Sequence, residues 1–219
     1  MKITIHQPDY LPWIGFFHRW FSSDLLIIYD DAQFIKGGWQ NRDKILLGSN
    51  EYWLSVPVLT KKKLGQLIKD VQINYDVKWQ IKHIKTLKNY YGNSKNYSDI
   101  INIIEEAYSK KHIYLIELNL FLMENIGKYL GINTPIKFSS NYNLKSKNTD
   151  KIIDLINAEN GTTYLTGTGS KEYLNESMIK QNNIHLNYQE HNDLKKYIDS
   201  ENIYLSIIHY LFRNEIKQF

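Results

Sequence analysis

The sequence contains no cysteine among its 219 residues. This absence excludes disulfide bonds, thiolate metal ligands and cysteine nucleophiles. No apolar run approaches the roughly 20 residues that span a bilayer. Residues 1–5 predict a strand and lack the apolar core of a signal peptide. The sequence therefore predicts a soluble, cytoplasmic protein without a membrane partner.

A strong charge of one sign is also missing, because 27 lysines and arginines face 23 acidic residues. The only dense basic block is Lys61-Lys62-Lys63. This balance is typical of a solvated surface, and the alternative is an anionic ligand such as a nucleotide or a phosphorylated sugar. It disfavours a nucleic-acid partner. Apolar residues make up 42% of the chain, so a folded core is expected.

The first thirty residues predict a βαβ unit. Residues 3–5 form a short apolar run that ends at His6, and Pro12 suits the first turn of a helix reaching to about residue 21. Residues 25–29 are a continuous apolar run, which is typical of a strand covered on both faces. Strand, helix and strand in this order favour two parallel neighbouring strands.

The rest of the chain predicts further strands around a block of helices. Residues 44–47 and 52–58 predict a β-hairpin, and residues 71–73 a strand. Apolar residues at helical spacing predict helices from residue 79, over 100–108 and over 113–130, whereas 135–148 looks like a loop. A helix over 149–158, strands over 162–165 and 184–188 and a terminal helix near 204–212 follow.

We therefore predict an α/β fold with a partly parallel sheet, a βαβ opening and a helical insertion in the middle third. Residues 1–78 would form an N-terminal α/β part, residues 79–134 a helical subdomain, and residues 135–219 a C-terminal α/β part. The first and third parts are expected to form one compact unit.

Polar residues end the first two predicted strands. His6 ends the first strand and Asp30-Asp31 end the second. Ligands bind beyond the carboxyl ends of parallel strands, so all three side chains should face one crevice. The helix after His6 would direct its N-terminus there, which suits proton transfer on a phosphorylated substrate. The alternative is that His6 is a satisfied polar residue and the two aspartates form a turn.

A second polar segment contains Gln33, Trp39, Gln40, Asn41 and Arg42. The planar guanidinium of Arg42 can bond two phosphate oxygens, and the amides of Gln40 and Asn41 suit sugar hydroxyls. The alternative is that the segment is an ordinary polar loop. No metal site is predicted, because the histidines lack zinc-ligand spacings and adjacent aspartates usually hold no magnesium.

Two further features have plainer alternatives. His83 shares a helical face with Trp79 and Leu87, which favours a core position over a ligand contact. The run from Gly167 to Ser170 follows a predicted strand in the manner of a phosphate cradle, yet it lacks a complete nucleotide-binding fingerprint. A tight turn is the plainer interpretation.

Several runs resemble the WbqC-like family of bacterial surface-polysaccharide proteins. They are His6-Gln7-Pro8-Asp9-Tyr10-Leu11-Pro12-Trp13-Ile14-Gly15-Phe16-Phe17-His18, Asp30-Asp31-Ala32-Gln33-Phe34, Gln40-Asn41-Arg42, Trp53-Leu54-Ser55-Val56-Pro57-Val58, Tyr164-Leu165-Thr166-Gly167, Tyr173-Leu174 and Leu205-Ser206-Ile207-Ile208. One departure is His209, where the resemblance implies an acidic residue.

The resemblance implies an enzyme of O-antigen or capsule biosynthesis that transfers an acyl or aminoacyl group to the amine of a nucleotide-linked amino sugar. His6 would be the general base and Asp30 or Asp31 would orient it. An activated acyl donor, such as a thioester, is the only co-reactant implied. The expected substrate-binding residues are Gln7, Tyr10, Trp13, His18, Gln33, Trp39, Gln40, Asn41, Arg42, His83 and Gly167.

Two alternatives stay open at this point. An ATP-dependent ligase or nucleotidylyltransferase would use Asp30-Asp31 to hold magnesium. A non-catalytic module binding carbohydrate or nucleic acid would use the aromatic side chains, which include 17 tyrosines.

Overall fold

A computed structural model describes residues 1–61, 63–198, 202–213 and 215–216. Lys62, in the middle of the basic block, lies outside the described residues, as do 199–201, 214 and 217–219. Among the helices described, none is both long and apolar enough to cross a membrane.

A five-stranded sheet organises the fold, with strand order β5-β2-β1-β6-β7 and every neighbouring pair parallel. A separate antiparallel hairpin joins β3 to β4. The strands are β1 (Lys2–His6), β2 (Leu25–Ile28), β3 (Arg42–Leu47), β4 (Asn50–Ser55), β5 (Ile136–Phe138), β6 (Thr163–Gly167) and β7 (His185–Gln189).

Helices cover both faces of the sheet. They are α1 (Ile14–Phe21), α2 (Trp79–Tyr91), α3 (Tyr97–Ser109), α4 (Leu115–Tyr129), α5 (Asn148–Ala158), α6 (Glu176–Gln181), α7 (His191–Leu194) and α8 (Ile207–Arg213). Short 3-10 helices span Ile68–Asp70, Ser139–Tyr142 and Thr168–Glu172.

Strand β2 shows how the sheet divides the core. Leu26 and Ile28 pack with α1, the hairpin, α2 to α4 and α8 in the larger apolar cluster. Leu25 and Ile27 belong to the smaller cluster with α5 and α6. Successive side chains of a strand point to opposite faces, so a strand buried on both sides must be apolar throughout, as β2 is.

The expected α/β fold is confirmed, with the β1-α1-β2 opening and the helical block α2 to α4 in the middle of the chain. Two local predictions were wrong. Residues 71–73 make only isolated bridges, from Ile73 to Val58 and from Gln72 to Tyr114, because each neighbour pairs with a single residue and no consecutive pairs follow. The predicted loop over 135–148 contains β5, an edge strand of three residues that is too short to show a periodic pattern.

The topology creates a crevice beside β1. The chain leaves β1 toward β2 on one side, whereas β6 lies on the other side. All these strands end at the same edge of the sheet because they are parallel. Such a switch point is where open parallel sheets bind ligands.

Candidate active site

A cavity of about 640 Å³ lies at the carboxyl ends of the strands. His6, Gly167 and Gln189 reach it from the ends of β1, β6 and β7, and Arg19 and Asp43 reach it from α1 and β3. This volume is within the range of small-molecule sites. The cavity therefore has the position and size of a substrate site.

The segment between β1 and α1 has a strained backbone. Leu11 adopts a positive φ of 48° immediately before Pro12. A large side chain rarely adopts this conformation, and tertiary contacts must maintain it. The Ser206 hydroxyl donates to the Leu11 carbonyl at 2.7 Å, and the Ile207 amide donates to the Pro12 carbonyl at 3.0 Å. Contacts from the start of α8 thus hold the segment that carries the cavity residues.

His6 is neutral in this structure. Its Nδ1 lies 2.8 Å from the Gln7 carbonyl oxygen, which only accepts, so Nδ1 carries the hydrogen. Burial, reinforced by the charge of Arg19 and opposed by the Gln7 carbonyl, lowers the pKa of His6 to about 3. Nε2 therefore keeps its lone pair, and the side chain retains 23% exposure. Nε2 is thus the ring nitrogen open to a proton, but a pKa this low makes it a weak base unless a nearby anion stabilises the imidazolium.

Two carboxyl groups that line the cavity with His6 have pKa values near neutrality. Asp9 Oδ2 lies 3.7 Å from His6 Nδ1, and burial, opposed by Arg19, raises the pKa of Asp9 to about 7. Burial also raises the pKa of Asp43 to about 8, against the bond from the Lys44 amide and with a contribution from Asp9. Groups with such pKa values exchange protons readily at physiological pH.

Arg19 supplies a buried positive charge. The residue is only 3% exposed, and its Nη1 donates to Gln189 Oε1 at 2.6 Å. Burial lowers the pKa of Arg19 to about 10, so the guanidinium stays charged at neutral pH. Among the residues the structure describes, no carboxylate lies within ion-pair distance of it.

Aromatic rings form two walls of the cavity. Trp13 packs on Tyr204 with ring centroids 5.4 Å apart, and both residues line the cavity. Trp39, which is 46% exposed, packs on Trp53 at 5.5 Å. Rings of this kind suit the flat faces of sugars and bases.

The predicted site residues divide into two groups. Those that line the cavity are His6, Gln7, Trp13, Trp39, Gln40 and Gly167. Those that are not among its lining residues are Tyr10, His18, Asp30, Asp31, Gln33, Asn41, Arg42 and His83.

Asp30 and Asp31 are bound to other parts of the chain. Asp30 Oδ1 accepts from the Ser139 hydroxyl at 3.0 Å and the Ser140 amide at 2.9 Å, and Oδ2 accepts from the Ser140 hydroxyl at 2.7 Å. Asp31 accepts from Lys151 Nζ at 2.6 Å and from the Ser139 hydroxyl at 2.5 Å. These contacts fasten β2 to the turn after β5 and to α5.

Tyr10, His83 and Tyr108 form a buried polar set that belongs to the core and is not part of the cavity lining. His83 Nδ1 lies 3.3 Å from the Tyr10 hydroxyl and 3.1 Å from the Tyr108 hydroxyl, and all three residues are buried. Burial lowers the pKa of His83 to about 4, so this imidazole is neutral. Its surroundings are those of a satisfied core histidine.

The other predicted binding residues contact other parts of the protein and do not line the cavity. His18 Nδ1 accepts from Gln189 Nε2 at 2.7 Å, and Asn41 Nδ2 donates to the Val56 carbonyl at 3.0 Å. Gln33 is exposed and bridges to Leu67. The Arg42 guanidinium lies 4.3 Å from the centroid of the Trp53 ring, and neither residue lines the cavity.

Sequence reasoning did not single out Asp9, Arg19, Asp43 and Gln189. Two of them carry a usable signal. Arg19 lies between aromatic residues of α1 and is itself buried, and a charged residue is unusual at such a position. Asp43 lies two residues before Ile45 in β3, so both side chains point to the buried face of the strand. Gln189 has no comparable signal.

His209, at the position where an acid was expected, is buried and lies outside the cavity lining. Its Nδ1 is 2.8 Å from the Tyr91 hydroxyl, which in turn donates to the Leu46 carbonyl. Burial, with Arg213, lowers the pKa of His209 to about 4. In this chain α8 is therefore joined to the hairpin through a neutral residue.

Comparison with known proteins agrees with the resemblance seen in the sequence. The model of the WbqC-like protein family matches residues 7–219. The chain is also similar to the uncharacterized protein Rv1507c of Mycobacterium tuberculosis, at 29% identity over 197 residues, which cover 90% of this chain and 85% of that protein. No solved structure matches. The protein belongs to the WbqC-like family.

Proposed function

We propose that the protein transfers an acyl or aminoacyl group to the amine of a nucleotide-linked amino sugar in surface-polysaccharide biosynthesis. The observation that carries this proposal is the cavity, in which an unprotonated imidazole, a carboxyl group with a pKa near 7 and a buried guanidinium lie together. Membership of a family named after a polysaccharide-biosynthesis gene supports the same pathway.

The reaction requires a proton acceptor. As the amine nitrogen bonds to the acyl carbon, the bond to the leaving group breaks and the nitrogen loses one proton. His6 Nε2 is the acceptor we assign, since Nδ1 already carries a hydrogen. The imidazolium that forms would be stabilised by ionised Asp9, 3.7 Å from Nδ1. Asp9 thus takes the supporting role first expected of Asp30 or Asp31.

The remaining lining residues suit the sugar and the base. Gln40 Nε2 donates to Gln7 Oε1 at 2.5 Å, and this bond fixes the two amides relative to each other at the cavity wall. Amide groups held in fixed positions can bind sugar hydroxyls in one orientation, and Trp13 and Trp39 offer apolar ring faces. Together they would orient the amine toward His6.

Mass spectrometry tests the proposal. The protein would be incubated with uridine- or thymidine-diphosphate amino sugars and with thioester or aminoacyl donors. We expect a product whose mass increases by one acyl or aminoacyl group. His6→Gln should lower the rate by about 10²–10⁴-fold, the usual contribution of a general base. His185→Gln is the matched control, because that histidine is exposed and outside the cavity lining.

Other outcomes would favour the remaining alternatives. Pyrophosphate release that depends on ATP and magnesium would indicate a ligase or nucleotidylyltransferase. Nucleotide sugars that bind but stay unchanged with every donor would indicate a non-catalytic binding module. Equal loss of activity in both histidine variants would remove His6 from the mechanism.

A further inference from the structure

Arg19 is a buried cation whose strongest contact is a neutral group. The residue is 3% exposed, and its Nη1 hydrogen bond goes to the amide oxygen of Gln189. The acid that acts on it electrostatically from the cavity side is Asp9, which is itself only partly ionised at neutral pH. Burying a charge without a counter-ion is costly. The cavity beside Arg19 is therefore suited to an anion from outside.

Gln189 fixes the direction of the guanidinium. Its Nε2 donates to the Gly15 carbonyl at 3.0 Å and to His18 Nδ1 at 2.7 Å. The Gly15 carbonyl can only accept, so the amide nitrogen must face it and Oε1 faces Arg19; His18 Nδ1 is then the acceptor of the second amide hydrogen. The amide orients the arginine without neutralising it.

The turn after β6 leaves room for a ligand beside the guanidinium. A Cβ atom on Gly167 would lie 3.2 Å from Arg19 Nη1, so the glycine lets the arginine pack against the backbone. A Cβ atom on Gly169 would meet nothing within 4 Å, so open space adjoins that residue. The Ser170 hydroxyl donates to the Gly167 carbonyl at 2.8 Å and holds the turn in place. Gly167, Gly169 and Arg19 all line the cavity.

We infer that Arg19, oriented by Gln189 and packed on Gly167, binds the phosphate groups of the ligand. Identifying them as the diphosphate of a nucleotide sugar rests on the proposed function, whereas anion binding itself requires no turnover. A guanidinium fork can bond two phosphate oxygens at once. Arg19 then performs the task expected of Arg42, whose guanidinium lies over Trp53 instead. The phosphates would lie on the β6 side of His6.

Calorimetry at low salt tests the inference, with inorganic pyrophosphate and uridine diphosphate as probes and malonate as a carboxylate probe. We expect both phosphate probes to bind and malonate to bind more weakly. Arg19→Lys keeps the charge but removes the fork, so it should weaken phosphate binding by about tenfold or more. Arg213→Lys is the matched control, because Arg213 is exposed at the end of α8 and lies outside the cavity lining.

A second variant protects the test if Arg19→Lys fails to fold. Gly167→Ala would displace the guanidinium by a few tenths of an ångström, and we expect binding to weaken several-fold. Unchanged binding in Arg19→Lys, or in Gly167→Ala where the first variant does not fold, would overturn the inference. Loss of binding in Arg42→Lys but not in Arg19→Lys would do the same, as would malonate binding as tightly as pyrophosphate.

The two proposals fail separately. Phosphate binding that depends on Arg19, without transfer from any donor, would contradict only the proposed function. Amine acylation with an unchanged KM for the nucleotide sugar in Arg19→Lys would contradict only the assignment of Arg19.

Discussion

Two pairs of aspartates lie near the carboxyl ends of the sheet, and their surroundings differ. Asp30 and Asp31 accept hydrogen bonds from two serines, and Asp31 also forms an ion pair with Lys151. Asp9 has only the contact to His6 at 3.7 Å, and Asp43 accepts only the amide of the next residue, at 2.6 Å, among the described residues. All four residues are mostly buried, so the difference lies in their partners.

The pKa values follow the partners. Burial alone would raise the pKa of Asp31, but the bonds from Lys151 and Ser139 outweigh it and lower the pKa. Without comparable donors, burial raises the pKa of Asp9 to about 7 and that of Asp43 to about 8. Carboxylates with partners hold the fold together, whereas those facing an open cavity are candidates for chemistry.

The largest expected effect comes from replacing one member of each pair with alanine. Asp9→Ala should lower kcat/KM by about 10²–10⁴-fold, because the imidazolium of His6 loses its support, and should change stability little. Asp30→Ala should instead cost about 2–4 kcal/mol, because both the amide and the hydroxyl of half-buried Ser140 lose their acceptor, whereas the Ser139 hydroxyl keeps Asp31. Steady-state kinetics and urea unfolding on both variants measure this. If Asp9→Ala destabilises the protein but retains activity, Asp9 has a structural role and not the catalytic role proposed for it.

A second prediction concerns the ion pair of Asp31. Lys151→Met should destabilise by roughly 3 kcal/mol, because it leaves a mostly buried carboxylate without its cation. Lys137→Met is the matched control, since Lys137 is 51% exposed in its pair with Glu159. Exposed pairs contribute less than about 1 kcal/mol. Equal losses of unfolding free energy in the two variants would mean that the Asp31 pair is no different from a surface pair.

A third prediction follows from Asp43. Its pKa is raised from 3.8 to about 8, so its contribution to stability is fully present below pH 3.8 and is lost as the pH rises toward 8. Asp43→Asn removes this loss and still offers an oxygen to the Lys44 amide. We expect the variant to be about 1–3 kcal/mol more stable than wild type at pH 9, and equal to it at pH 4.

Thermal unfolding between pH 4 and pH 9 checks this prediction. Asp76→Asn serves as the control because Asp76 is exposed. A stability gain that is the same at both pH values would indicate better packing instead of a removed charge.

The same comparison shows how much the sequence could predict. Apolar runs and helical spacing were sufficient for the β1-α1-β2 unit and for the block α2 to α4, because those signals are local. The position of His6 at the cavity could be predicted from the parallel connection between β1 and β2 alone. That Asp30 is covered could not be predicted, since its partner Ser139 lies 109 residues further along the chain.

Other parts of the site depend on tertiary contacts or on strand phase. Arg19 is oriented by Gln189 across 170 residues, and the segment of Asp9 depends on the positive φ of Leu11. The alternation of side chains along β3, by contrast, could be predicted from the sequence. Adjacent residues of a strand point to opposite faces, so a cavity reached by Asp43 cannot also be reached from the same face by Arg42.

The smallest expected effect concerns acid stability and His6. The pKa of His6 is lowered from 6.5 to about 3, so its contribution to stability is fully present above pH 6.5 and is lost as the pH falls toward 3. At pH 5 this loss should be about 1–2 kcal/mol, and His6→Gln should remove it. Asp31 does not interfere, because its pKa lies below 3.8. His83 and His209, with pKa values of about 4, lose stability over the same pH range, whereas Asp9 and Asp43, with pKa values of about 7 and 8, gain it. All four groups remain in the variant, so the prediction concerns the difference between the two curves. Between pH 6.5 and 5 the unfolding free energy of wild type should fall relative to that of His6→Gln. Urea unfolding at several pH values compares wild type with His6→Gln and with His185→Gln, whose replaced histidine is exposed and should leave the slope unchanged. If all three slopes agree, His6 is solvated in the folded protein, and the neutral imidazole on which the proposed mechanism depends would have to be abandoned.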